Sequence, residues 1–231
     1  MIAFLDTEFT GLLADPKLLS VGIVLGAGND NAKGDEFYAE VTDRERLHAA
    51  SWFVLDAVLP QFGKVPGAAC PYAELGVRLY NFFADLARSL TPGEDIEVAF
   101  EFDLDWALVE RAIEAADAAR WPAVAGLMHP VNVYDIAGFG AGKRAATAYF
   151  AAQRLAPLSR HHALCDARAL RASYGAAQAA DAANAANHET AGASPCALPH
   201  RPQALPLATT PFIALPRRPQ TESLRTHESE T

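Results

Sequence analysis

The chain has 231 residues, of which 51% are hydrophobic, and a formal net charge of −9. That is enough for one ordinary globular domain with a sizeable core plus extra segments, although alanine supplies much of the apolar total. The acidic balance counts against a protein that merely coats nucleic acid, and less against a metal-dependent nuclease, whose clustered carboxylates are neutralised by bound cations.

The N-terminal part reads as strands. Residues 2–5 form a short apolar run that ends at Asp6, LLSVGIVL spans 18–25, and EFYAEV over 36–41 alternates polar and apolar. The glycine- and asparagine-rich stretch between the last two predicts a turn and an antiparallel meander. Residues 44–62 are expected to be partly helical and 63–71 to be a loop. Residues 72–89 have helical periodicity, with Leu75, Leu79, Phe82, Phe83 and Leu86 on one face. IEVAFEF over 96–102 predicts another strand. A helix is expected from Asp105 to Ala119 with a stripe of Leu108, Val109, Ala112 and Ile113, then a strand over 127–134. Helices follow over 136–155 and from His162 to about Ala183. A meander followed by alternating strands and helices gives an α/β fold with a central mixed sheet. From His188 onward the chain holds seven of its fifteen prolines and no periodicity. The expected organisation is therefore a domain over 1–187 and a disordered tail over 188–231.

Cys70, Cys165 and Cys196 are far apart and form no CxxC pair, the pattern of a reducing cytoplasm without structural zinc. MIAFLDTEF lacks a basic leader, so no signal peptide is expected. No apolar run approaches the ~20 residues needed to span a bilayer, so no membrane partner is expected.

Three places carry chemistry. Asp6 and Glu8 are two apart on a strand and so project from one face. Paired carboxylates repel unless a hard cation such as Mg²⁺ or Mn²⁺ neutralises them. The plainer reading is a solvated strand end. Asp105 follows a strand at the expected start of a helix, where an acidic residue is commonly an N-cap; Asp103 is its rival, and Trp106 and Leu108 directly after Asp105 favour the latter. In HHALCD, His161 lies just before a helix and Asp166 on its first turns, so both can face one pocket. His161 then suits a general base near neutral pH. A surface histidine pair is the alternative.

The order Asp-x-Glu, Asp, His-x4-Asp, carried by FLDTEFTGL, FDLDW and HHALCDARAL, resembles the DEDDh exonucleases of the ribonuclease-H-like superfamily. These include proofreading subunits, oligoribonuclease and tRNA-trimming enzymes. With LLSVGIVL and EFYAEV, the N-terminal stretch looks closest to a small bacterial group of 3′→5′ exoribonucleases. The resemblance covers about residues 1 to 180, and it departs at His162, where a small residue often follows the motif histidine. It implies a ribonuclease-H-like fold and two Mg²⁺ or Mn²⁺ ions held by Asp6, Glu8, Asp105 and Asp166. It also implies His161 as base and release of nucleoside 5′-monophosphates from a 3′ end. Main-chain groups near Thr7 and Phe9 would meet the terminal nucleotide. Phe9, Leu12 or Trp106 would stack on or wedge its base, with core packing as the alternative for those three. RNA is favoured over DNA as substrate. A DNA exonuclease or proofreading subunit is the runner-up, and a non-catalytic nucleic-acid-binding module is a third reading. A homodimer is compatible with any of them. In the tail, Gln203 to Leu207 (QALPL), followed by Phe212 to Leu215, faintly resembles peptides that dock on sliding clamps; an unselected linker is the plainer reading.

Overall fold

The computed structural model describes residues 1–26, 36–135 and 139–191. The chain divides into two units, Met1–Gly192 and Ala193–Thr231; the sequence motif at Gln203 falls in the second, outside the described residues. Strands β1 (Ile2–Phe9), β2 (Leu18–Leu25) and β3 (Glu36–Val41) form the expected antiparallel meander. Strand β4 (Ala69–Cys70) pairs parallel to β3 within the segment expected to be a loop. On the other side of β1, β5 (Ile96–Phe100) and β6 (Met128–Asn132) run parallel to it. The sheet order is β4-β3-β2-β1-β5-β6, so the fold is α/β with a six-stranded mixed sheet. The strand order reverses at β1, with β2 to β4 laid down on one side and β5 and β6 on the other. Ligands of open α/β sheets gather at the carboxyl ends of strands beside such a reversal.

The helices are α1 (Arg44–His48), α2 (Tyr72–Ser89), α3 (Asp103–Asp117), α4 (Trp121–Ala125), α5 (Phe139–Ala152) and α6 (Ala163–Ala191). Between α1 and β4 the chain makes a π-helical turn over Val54–Val58 and a 3-10 turn over Leu59–Gln61. Two expectations are corrected at α3: it starts at Asp103, and Phe102, not Asp105, is its N-cap. α6 runs past both the expected end near Ala183 and the expected boundary at 187.

β1 divides its side chains between the two faces with period two. Ala3 and Leu5 enter the main core, with Leu75, Leu79 and Phe83 of α2 and Leu108, Val109, Ala112 and Ile113 of α3. Phe4 faces the other way, into a cluster with Ala99, Val133 and Leu170 of α6. α6 presses hard on the sheet at Gly22 of β2, where a Cβ would lie 2.4 Å from the backbone of Ala163 and Leu164. Gly22 pairs with Asp6 across the ladder. This glycine therefore lets the first turn of α6 settle over the part of β1 that carries Asp6.

Candidate active site

Asp6 and Glu8 share the parity of Phe4 and so point to the α6 face. They are not at the strand's end, as expected, but inside β1, which continues to Phe9 with an irregular register to β2 between Glu8 and Phe9. Bulges of this kind re-aim side chains and are frequent beside active sites. Thr7 has the opposite parity, and its hydroxyl donates to Asp105 Oδ1 at 2.6 Å. α3 thus delivers its carboxylate from one face of the sheet and α6 delivers Asp166 from the other, and the two meet near the C-terminal end of β1.

Asp105 is 4% exposed, and Asp6, Thr7, Glu8, Phe9, Leu12, Glu101, Phe102, Tyr134, His161 and Asp166 line one cavity with it, of about 400 Å³. Asp103, its rival, is exposed and accepts a 2.7 Å hydrogen bond from Asn132. Two residues are roughly 200° apart about a helix axis, so only one of the pair can face the cavity. Of the candidate base-contacting residues, Phe9 and Leu12 line the cavity, Phe9 stacked on Phe102 with ring centroids 6.3 Å apart and Leu12 80% exposed at the rim. Thr7 is buried, with its hydroxyl engaged by Asp105. Trp106 is not brought to the site. It packs edge-on to Phe83 and beside Trp121 in the main core, the core-packing alternative for that residue.

The two adjacent histidines have opposite surroundings. His161 lines the cavity, and one of its ring nitrogens lies within 4.8 Å of carboxylate oxygens of both Glu8 and Asp166. Its backbone is left-handed (φ 68°), an uncommon conformation for a residue with a Cβ and one that recurs at functional sites. Its backbone N–H donates to Asp166 Oδ2 at 2.9 Å, which ties residue 161 to that carboxylate. His162 is 1% exposed and stacks on Tyr38 at 4.3 Å, and its carbonyl accepts the amides of Cys165 and Asp166 at the start of α6. Its burial pushes its pKa down to about 4. Burial, then the Arg160 charge, also lowers the pKa of His161, so its imidazole is neutral at pH 7.

Sequence reasoning missed Phe102 and Tyr134 on the cavity wall, and also Glu101 and Gln61. Glu101, just after β5, lines the cavity as a fifth carboxylate, and its pKa is raised by burial. Gln61 is 5% exposed and clamps the segment before His161. Its amide donates to Arg160 O at 2.7 Å, and its carbonyl accepts from the Ser159 amide and hydroxyl at 3.2 and 2.9 Å. A buried glutamine in an irregular segment was the available signal, but its partners lie almost a hundred residues away.

The electrostatics follow from crowding acids in a dry place. Burial first, then the charges of Asp166 and Asp105, raises Glu8 to about 8. Burial is the main cause for Asp105 and Asp166, each raised to about 7, and Asp6 is raised well above the ordinary carboxylate range by burial and then by Asp166, Asp105 and Glu8. Acids whose folded pKa exceeds the unfolded value stabilise fully below about pH 4, and that contribution is lost as pH rises through the folded values near 7 and 8. The two lowered histidines act in the opposite sense, but only below pH 6.5. Metal-free protein is therefore expected to lose on the order of 2–5 kcal/mol between pH 6.5 and 8.5. Urea unfolding in EDTA checks this, and a stability that rises across that window would refute it.

Asp6 Oδ2 and Asp166 Oδ1 are buried without a hydrogen-bond partner. An unpaired buried carboxylate oxygen is costly, and two of them in one carboxylate cluster match the oxygen-donor chemistry of a hard divalent cation. The residues present thus fit such ions. Among the described residues, no helix is long and apolar enough to cross a membrane. Compared with known proteins, the chain matches no family model and no curated protein.

Proposed function

We propose that the chain is a metal-dependent 3′→5′ exonuclease of DEDDh type on a ribonuclease-H-like fold, acting on RNA in preference to DNA. The observation that carries the reading is the meeting of Asp6, Glu8, Asp105 and Asp166, from β1, α3 and α6, with neutral His161 beside them. The sheet order and the order of the motifs along the chain support it. The preference for RNA rests on the motif resemblance.

In this reading the four carboxylates hold Mg²⁺ or Mn²⁺, which would polarise a phosphodiester and acidify an attacking water. His161 takes the proton of that water at its free ring nitrogen. Its left-handed backbone, the Asp166 contact and the Gln61 clamp on Arg160 fix where that nitrogen sits. Thr7 holds Asp105 in one rotamer, and Phe9, Phe102 and Leu12 offer apolar surface to the terminal nucleoside.

Single-stranded RNA and DNA of one sequence, incubated with Mg²⁺ or Mn²⁺ and with excess EDTA, test this. Hydrolysis is expected only with the metal, and faster for RNA. Full hydrolysis in EDTA would sink the metal-dependent reading, and faster cutting of DNA would reverse the substrate preference.

A further inference from the structure

The carboxylate cavity opens on its α5 side into a trough of about 510 Å³ with a different lining. Asp6, His161 and Asp166 border it, and beyond them stand Lys143 of α5 and Arg160, with the rings of Tyr134 and Phe150. The cations sit over the aromatics: the Lys143 ammonium is 6.0 Å from the Tyr134 ring centre and the Arg160 guanidinium 5.6 Å from that of Phe150. Beside Glu8, the residues Phe9, Gly11, Leu12, Phe53 and Val54 line a mainly apolar pocket of about 350 Å³ that shares no lining residue with the trough and has no cation among its own. A chain of charge −9 thus places two cations along one side of its most acidic site.

We propose that this trough is a binding site for the strand on the 5′ side of the cut, with Lys143 and Arg160 on its phosphates and Tyr134 and Phe150 against its bases. The inference rests on the exonuclease reading and adds a direction to it. The apolar pocket takes the nucleoside to be released, which brings no further phosphate, and the trough takes the chain that remains, which brings one per nucleotide. Cations beside aromatic rings are the recurring recipe for single-stranded nucleic acid, because backbone charge and base faces are present whatever the sequence. Glu101 lines both the carboxylate cavity and the trough.

The experiment compares wild type, Lys143→Gln, Arg160→Gln and the charge-preserving Lys143→Arg on a pentanucleotide in Mg²⁺. It reads KM, kcat and the dependence of kcat/KM on salt. Lys143 and Arg160 are exposed, so folding is not at stake. Each glutamine variant is expected to raise KM about tenfold, with kcat changed much less, and to flatten the logarithmic salt slope by ~0.7 per lost phosphate contact. Lys143→Arg should keep the wild-type slope. A merely structural role would not move that slope. Hydrolysis with unchanged KM and slope in both glutamine variants would overturn this inference alone. No hydrolysis by the wild-type chain would overturn the exonuclease reading and this inference with it.

Discussion

Asp6→Asn is expected to lower turnover of a labelled oligonucleotide by more than ~10³-fold, about 4 kcal/mol of transition-state stabilisation, while the protein stays folded. Asparagine keeps the shape of the side chain and removes the charge that Asp166, Asp105 and Glu8 all oppose. Asp6 is half-buried on the cavity wall, and its Oδ2 is buried without a partner, so the carboxylate is held in the metal-free protein against its own electrostatics. Residues kept at such a cost are commonly functional. The same substitution should therefore raise the melting temperature of metal-free protein at pH 8.5 and flatten its loss of stability above pH 6.5. Activity near wild type would show that Asp6 is not at the reacting centre. Lost activity together with lost stability would show that its role is in the fold.

His161→Ala should cost roughly 10²–10⁴-fold in kcat, the usual contribution of a general base. The neighbouring substitution separates catalysis from packing. His162 is enclosed against Tyr38, so His162→Ala should cost on the order of 2–4 kcal/mol of stability and leave the rate per folded molecule within a few-fold. The sign of the pH dependence follows from the base. The rate rises with pH as His161 loses its proton, and burial and the Arg160 charge place that loss below the usual histidine range. A His162→Ala enzyme that is folded but slower than His161→Ala would move the base by one residue.

Much of this arrangement was legible in the chain itself. β2, β3 and α2 lie where their patterns place them, because each buries a local stripe that sequence displays directly. The stripe Leu108, Val109, Ala112 and Ile113 is buried as expected even though α3 starts two residues early. What failed were features set by distant partners. The two-residue β4 exists because the edge of β3 pairs with it, not through any period of its own. The motif resemblance offers Trp106 as a surface for bases with core packing as the alternative, and on the helix it turns to Phe83 and Trp121. Glu101 looked like one polar position in a strand pattern; only the parallel register of β5 to β1 brings it beside Asp6. Lys143 and Arg160 carry no motif at all, since a cation near a phosphate path is defined by where α5 and the start of α6 are packed, not by its neighbours in sequence.

The activity proposed for this site is removal of nucleotides from a 3′ end. The most direct test uses a 5′-labelled single-stranded RNA in Mg²⁺, with a free 3′ hydroxyl or with its last linkage replaced by a cleavage-resistant one, digested by wild type and by Asp6→Asn. A ladder shortening one nucleotide at a time from the 3′ end of the free strand is expected, with nucleoside 5′-monophosphate released. Little product is expected from the blocked strand and none from Asp6→Asn. Fragments cut internally, equal digestion of the blocked strand, or a ladder that survives Asp6→Asn would contradict the proposed activity.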